Sequence, residues 1–267
     1  MSGQRLRRAL LWAFGTAVLV FLCAPLLLIM PISFSAGSFL SYPLPGLSLR
    51  WYEKLLDPYP WIFAFENSLL TALLTTALSV VLGTSAAYGL AIADFRAKKY
   101  IIALILAPLA VPVVITGLAM YFFLVSSRLY GSLLGLVIAH TAIALPFVVI
   151  TVSATLQGFD RSLVRAAASL GCPQVRTFFS VTLPLILPGV VAGGVFAFAT
   201  SFDDVVIALF ASTPSMLTLP RQMFSGLRDQ LDPTLVAVAC VMTVMSVVLM
   251  VIVDLLQSRA ERLRSRA

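Results

Sequence analysis

Two adjacent carboxylates, Asp203 and Asp204, interrupt an apolar run, TSFDDVVIALF. In a segment of membrane-spanning length a carboxylate is expensive unless it faces water or a partner, so its presence points to function. Neighbouring helical positions differ by about 100°, so the two cannot face the same way. One can line a pathway while the other pairs with Arg221 or Arg228 or caps a helix break; a purely structural pair or cap stays open beside that reading. Other chemistry is thin. The single histidine, His140, has no partners for a metal site and is expected to hydrogen-bond a neighbouring helix. Cys23, Cys172 and Cys240 show no CxxC spacing and fall at depths that disfavour a disulfide. No GxxxxGK[ST] loop occurs, so ATP hydrolysis by the usual phosphate cradle is excluded for this chain.

A second unusual stretch is RAAASLGCPQVRTFFSVTLPLILPG, residues 165–189. Phe159, Leu163, Ala166, Ala167 and Leu170 fall on one helical face. Gly171 supplies a left-handed stop, and Pro173 is placed to start a second helix. Val175, Phe178 and Phe179 give that helix a short apolar face, and Pro184 is expected to end it. The pattern reads as helix–glycine–helix. It suits either a pair lying on a membrane surface or a docking element inserted into a partner's groove.

The elements around these residues are long apolar runs. Of 267 residues, 60% are hydrophobic and 11% charged, and the mean hydropathy is +1.03. That composition needs lipid as solvent, and the fold class is all-α integral membrane. Six stretches reach spanning length: 10–32, 65–92, 100–125, 132–156, 185–210 and 234–253. The first is too long for a signal-peptide core and lacks a convincing cleavage site, so it reads as retained. Pro108, Pro112 and Pro146 are expected to kink their spans for packing. Pro188, Gly189, Gly193, Gly194 and Ala197 give the fifth span a face that lets helices approach closely. Residues 33–61, rich in aromatics, Pro and Gly, suit an external loop, with WYEKLL as a short surface helix.

Basic residues cluster on alternate connections: Arg5, Arg7 and Arg8; Arg96, Lys98 and Lys99; Arg161, Arg165 and Arg176; and Arg259, Arg262, Arg264 and Arg266. The other connections hold Arg50, Lys54, Arg128, Arg221 and Arg228. The positive-inside rule therefore puts both termini and the Arg165 region in the cytoplasm. The net charge of +7 serves orientation and lipid contact, not nucleic-acid binding.

The 165–189 stretch resembles the coupling loop of permease subunits in bacterial type I ATP-binding-cassette importers. That pattern runs Glu-Ala-Ala, three residues, Gly, then a variable stretch to Leu-Pro. Ala166, Ala167, Gly171, Leu183 and Pro184 match it, whereas Arg165 stands where the family usually carries Glu. Residues 66–91 are similar to the opening helix of the family's transmembrane domain. TSFDDVVIALF with the downstream TLPRQMFSGLRDQLDPTLVAVA resembles the spermidine/putrescine permease group, in particular its second permease subunit.

The resemblance implies six spanning helices in the type I importer permease fold. An N-terminal helix and periplasmic loop would occupy 1–62, the shared domain 63–253 and a basic tail 254–267. It implies a bacterial inner-membrane subunit that moves polyamines or a similar small cation inward. Arg165, Ala166, Ala167, Gly171, Phe178, Leu183 and Pro184 would form the ATPase-coupling loop, and Ser201, Phe202, Asp203 and Asp204 the substrate pathway. No cofactor or metal is implied for this chain; ATP and Mg would sit on a partner ATPase dimer. A second permease chain, a periplasmic binding protein and lipid complete the implied partners. Other solutes (opine, amino acid, thiamine or iron) fit the same class. An ion-coupled secondary transporter and a non-transporting scaffold are the competing classes, and the absence of a visible internal repeat argues against the former.

Overall fold

The computed structural model describes residues 2–160, 162–229 and 232–264. Arg161 and Arg266 lie outside the described residues, as do the side chains of Arg5, Arg259, Arg262 and Arg264. The first half of the chain forms α1 (Ser2–Ile29), α2 (Arg50–Leu55), α3 (Phe63–Ile92), α4 (Lys98–Ala110), α5 (Val113–Ser126) and α6 (Leu133–Gln157). The second half forms α7 (Ser162–Ser169), α8 (Gln174–Thr177), α9 (Leu183–Phe202), α10 (Val206–Ala211), α11 (Leu219–Asp229) and α12 (Thr234–Arg264). Helices satisfy their own backbone hydrogen bonds, which is what a chain surrounded by hydrocarbon requires.

Among the described residues, four helical stretches have the length and apolar character of a span: Arg7–Phe34, Pro58–Ile92, Leu133–Gln157 and Gln174–Phe202. A fifth is broken, because α4 and α5 meet at 107°. The sequence reading drew 100–125 as one kinked span. Pro112 instead ends it, having no N–H to continue the ladder and pushing Val111 to an extended ψ of 134°. Pro108 and Pro146 stay inside α4 and α6. The sixth apolar stretch is Thr234–Val248, within a helix that continues to Arg264, past the 253 boundary read from sequence.

The chain divides into two compact units. One comprises Met1–Pro58 with Ser225–Met245. In it α1 leaves its apolar side chains exposed from Leu10 to Ile29. The following segment folds onto α2: the Trp51 indole donates to the Ser35 carbonyl at 2.7 Å, and Ser33 and Tyr52 share a 2.8 Å hydroxyl contact. Trp51 is thereby buried, while Arg50, Glu53 and Lys54 of the same short helix stay exposed. Lys54 Nζ meets Asp232 Oδ2 at 2.7 Å.

The other unit comprises Tyr59–Phe224 with Ser246–Ala267, and its centre is α3, α6 and α9. Glycines bring the backbones together as their spacing predicted. A Cβ on Gly193 would lie 3.0 Å from Val148 Cα of α6, one on Gly194 3.2 Å from Val80 Cγ2 of α3, and one on Gly189 would strike Thr155. Ala144, Val148, Val152, Ile186 and Ala197 fill the space between. Gly189 meets Thr155 while Ser201 meets His140, so α9 runs antiparallel to α6. Gly194 meets Val80 while Phe202 meets Phe65, so α9 also runs antiparallel to α3.

Candidate functional site

Both ends of α9 carry the residues singled out above. At the C-terminal end the helix stops at Phe202, and Asp203 to Val205 separate it from α10. The sequence reading carried this span unbroken to 210. It breaks because Asp204 competes for the backbone: its Oδ2 accepts from the Ala208 amide at 3.0 Å and so caps α10. Of the alternatives open for the acidic pair, Asp204 takes the cap. Arg221 pairs with neither aspartate; its Nη1 donates to Ser212 Oγ at 2.6 Å.

The two carboxylates divide by exposure. Asp203 is exposed, while the Asp204 side chain is 9% exposed. Phe202 is buried, edge-on to Phe65 at 6.2 Å and stacked on Phe198 at 5.5 Å, so its ring braces the break. Ser201 is buried too, and its Oγ lies 2.9 Å from His140 Nδ1. The expected interhelical bond of His140 is thus present, with α9 as the partner helix. Sequence reasoning left His140 out of the site because residues 61 positions apart carry no local signal of contact.

At the other end lies the helix–glycine–helix element. Asp160 opens α7 by accepting from the Ser162 amide at 2.8 Å and its hydroxyl at 2.6 Å. Those bonds stabilise the ionised form and hold the Asp160 carboxyl below its usual pKa. The helix ends as its glycine predicts: Gly171 sits at φ +77°, Gly171 N bonds to Ala168 O at 2.9 Å and Cys172 N to Ala167 O at 3.0 Å. That paired pattern satisfies two carbonyls that the helix would leave bare. A cleft of about 450 Å³ lies between the end of α6, the start of α7 and the start of α9, lined by Thr155, Gly158, Phe159, Asp160, Leu163 and Leu185.

Pro173 stands at the N-cap position of α8, one position before the first helical residue where it was expected. Pro184 does not end the second helix. From Gln174 the chain runs helically into α9, through a π-type turn at Phe178–Thr182. Widening that turn accommodates the prolyl ring, which would clash with the carbonyl four residues earlier in a regular helix. Leu183 and Pro184 therefore lie inside one continuous rod.

Exposure sorts the rest of the loop. Arg165, Ala166 and Gly171 are exposed, and Ala167 is half-buried. Phe178 turns back onto Tyr88 of α3, with ring centroids 4.8 Å apart. Phe179, which the coupling set omitted, is 61% exposed, beside Val175 at 71% and Leu170 at 89%. Among the described residues no cluster of three or more His, Cys, Asp or Glu is arranged to hold a metal.

Residues 79–262 match the family described as binding-protein-dependent transport system inner membrane component. The chain is 34% identical over 253 residues to the putrescine transport system permease protein PotI of Escherichia coli (strain K12), covering 92% of this chain and 90% of that one. It is 30% identical over 247 residues to the spermidine/putrescine transport system permease protein PotC of the same strain, covering 91% and 92%. Its fold matches a chain in the crystal structure of a bacterial ABC transporter involved in the import of the acidic polysaccharide alginate. The TM-score is 0.74 at 15% identity, covering 97% of this chain and 98% of that one.

Proposed function

The chain belongs to the binding-protein-dependent transport system inner membrane component family, and we propose that it is the second permease subunit of an ATP-driven importer of putrescine or spermidine. It is a multi-pass membrane transport component with the fold of a type I importer permease. The observation that carries the substrate reading is the exposed Asp203 at a helix break in an apolar bundle, with polyamine permeases among the relatives. A carboxylate set among spanning helices attracts an ammonium group strongly, because the surroundings screen charge poorly. Asp203 is the transient contact for the cation; Ser201, Phe202 and Asp204 hold the break in shape around it.

The drive comes from a separate ATPase dimer, carrying ATP and Mg, that docks on Arg165, Ala166, Ala167, Gly171 and the exposed apolar group of Leu170, Val175 and Phe179. Both termini lie on that cytoplasmic side, and a binding protein delivers the cation from the periplasm. The transport domain spans 63–253, preceded by the N-terminal helix and loop of 1–62 and followed by the basic tail 254–267. A different permease chain faces this one across the pathway, and its loop keeps the Glu that Arg165 replaces. Continuity from Gln174 to Phe202 supports the mechanism: displacement of the loop tilts one rod, and the break at Asp203 moves with it.

The test is uptake of labelled putrescine and spermidine by cells lacking their own polyamine importers, with the genes neighbouring this one co-expressed. ATP-dependent uptake that falls at least about tenfold in Asp203→Asn, at unchanged membrane levels, is the expected result. No uptake by an assembled complex that hydrolyses ATP removes polyamines as the substrate.

A further inference from the structure

His140 is 1% exposed on α6, and its ring reaches both sides of the break between α9 and α10. Nδ1 lies 2.9 Å from Ser201 Oγ and 3.1 Å from Ser201 O, one residue before α9 ends at Phe202. Nε2 faces Asp204 Oδ2 at 3.9 Å, just after it, and has no hydrogen-bond partner. Nδ1 can donate to the Ser201 carbonyl or accept from the Ser201 hydroxyl, and in either tautomer Nε2 is left buried, facing Asp204 Oδ2 without a partner.

A fully buried ring nitrogen without a partner is costly, and Asp204 Oδ2 lies about 0.7 Å beyond hydrogen-bond range. A shift of that size in the first turn of α10 closes the gap. Asp204 already belongs to that turn through Ala208, and Phe210, further along α10, packs on Gly117 of α5. The residue between the two contact points of His140 that meets solvent is Asp203.

We propose that His140 is a positioning residue: through Ser201 on one side and Asp204 on the other it fixes the break, and so the direction in which Asp203 points. In this conformation its Nε2 is unpaired; in the alternate conformation of the transport cycle it pairs with Asp204. The inference rests on the reading of Asp203 as the cation contact, and its test separates the two.

The test uses the assembled transporter in lipid vesicles, with His140→Ala, His140→Asn and His140→Gln in the full chain. Asn sets its amide where Nδ1 lies, and Gln where Nε2 lies. Two quantities are read: the half-saturating concentration and maximal rate for labelled putrescine, and the rate at which Asp203→Cys reacts with a water-soluble thiol reagent. The second is measured with Cys23, Cys172 and Cys240 replaced by Ser and needs no substrate. His140→Ala is expected to raise the half-saturating concentration and change the labelling rate, each about fivefold or more, with a maximal rate within about twofold. Asn and Gln should each restore part of the effect. If Ala prevents assembly, Asn, Gln and Ser201→Ala carry the test. A changed labelling rate without any putrescine uptake in the parent complex supports the positioning role and overturns the substrate. A labelling rate within about twofold of the parent in every variant overturns the proposal, whatever uptake does.

Discussion

At its loop end the helix that runs from Gln174 to Phe202 leaves Val175 and Phe179 exposed, and Leu170 of the preceding turn is exposed too. At its break end the same helix hides Ser201 against His140, with the Asp204 carboxylate tucked behind. One end exposes apolar groups on a short amphipathic element, and the other buries polar groups among apolar neighbours. Each inversion costs free energy in the isolated chain, so each identifies a surface whose purpose lies outside the chain's own stability. Exposed aromatics imply a protein partner that covers them. Buried, imperfectly satisfied polar atoms imply a second conformation that satisfies them. The rod between the ends is what makes two such different devices one machine.

The two ends can act together only if the rod is packed rigidly against α6, and the largest expected effect comes from breaking that packing. Gly193→Val places a branched side chain where a Cβ alone would lie 3.0 Å from Val148 Cα. Backbone cannot yield as a side-chain tip can, so overpacking costs about 1–3 kcal/mol or more, and folded complex should be scarcely recoverable in detergent. Gly89→Ala in α3 is the control: a Cβ there meets nothing within 4 Å, and thermal stability should be unchanged or slightly raised. Equal losses in both would mean that these helices tolerate no substitution, and the rod would lose its special status.

The next effect belongs to the loop end alone. Phe179→Ala removes an exposed ring, so the chain's own stability should hold within about 0.5 kcal/mol. Retention of the ATPase subunit on purification should fall by about 2 kcal/mol, or roughly thirtyfold in affinity, if the ring anchors the docking surface. Phe178→Ala should reverse the pattern, because that ring packs on Tyr88. Matching behaviour of the two phenylalanines would erase the distinction between covered and waiting aromatics.

Much of the loop end was legible in the sequence, because its rules are local. A glycine after an amphipathic turn specifies a left-handed stop, and Gly171 sits at φ +77°. The close approach at Gly189, Gly193 and Gly194 followed from spacing in the same way. The break was less legible. VVIALF continues the apolar pattern through residue 210, so hydropathy carried the span past its real end. A local signal did exist, since Asp before an apolar run is a helix start, and Asp204 caps α10 as that rule requires. Nothing local marks His140 as its neighbour. Pro112 and Pro108 show the same limit: both are prolines in one apolar run, yet only the former ends a helix.

The two carboxylates at the break should separate by kind of effect. Asp204→Ala removes the cap on α10 and should cost about 1 kcal/mol of stability, read as a lower thermal midpoint with or without substrate. Asp203→Asn alters an exposed group with no such bond, so its midpoint should stay put while the half-saturating concentration for putrescine rises. An unchanged midpoint in Asp204→Ala would mean that the cap does not hold the break, and the buried end of the comparison would rest on His140 and Ser201 alone.

The smallest effect calibrates the others, because it belongs to an ion pair at neither end of the rod. Lys54 Nζ and Asp232 Oδ2 meet at 2.7 Å, and Asp232 also accepts from the Thr234 amide at 2.9 Å. Partial burial pushes the Asp232 carboxyl up, but the bonds from Lys54 and Thr234 and the charge of Lys54 outweigh it, leaving the pKa below its usual value. A carboxyl whose pKa is lower folded than unfolded stabilises fully above the unfolded value of about 3.9, and that stability is lost as pH falls through the folded value. An acid titration of the purified chain should therefore show this contribution disappearing below about pH 4. Lys54→Gln should reduce it at neutral pH by no more than about 1 kcal/mol, less at high salt, because the lysine is largely exposed. If Lys54→Gln lowers the thermal midpoint as much as Asp204→Ala does, burial is not what makes the break end sensitive. The contrast between the two ends of the helix would then reduce to the exposed aromatics of the loop.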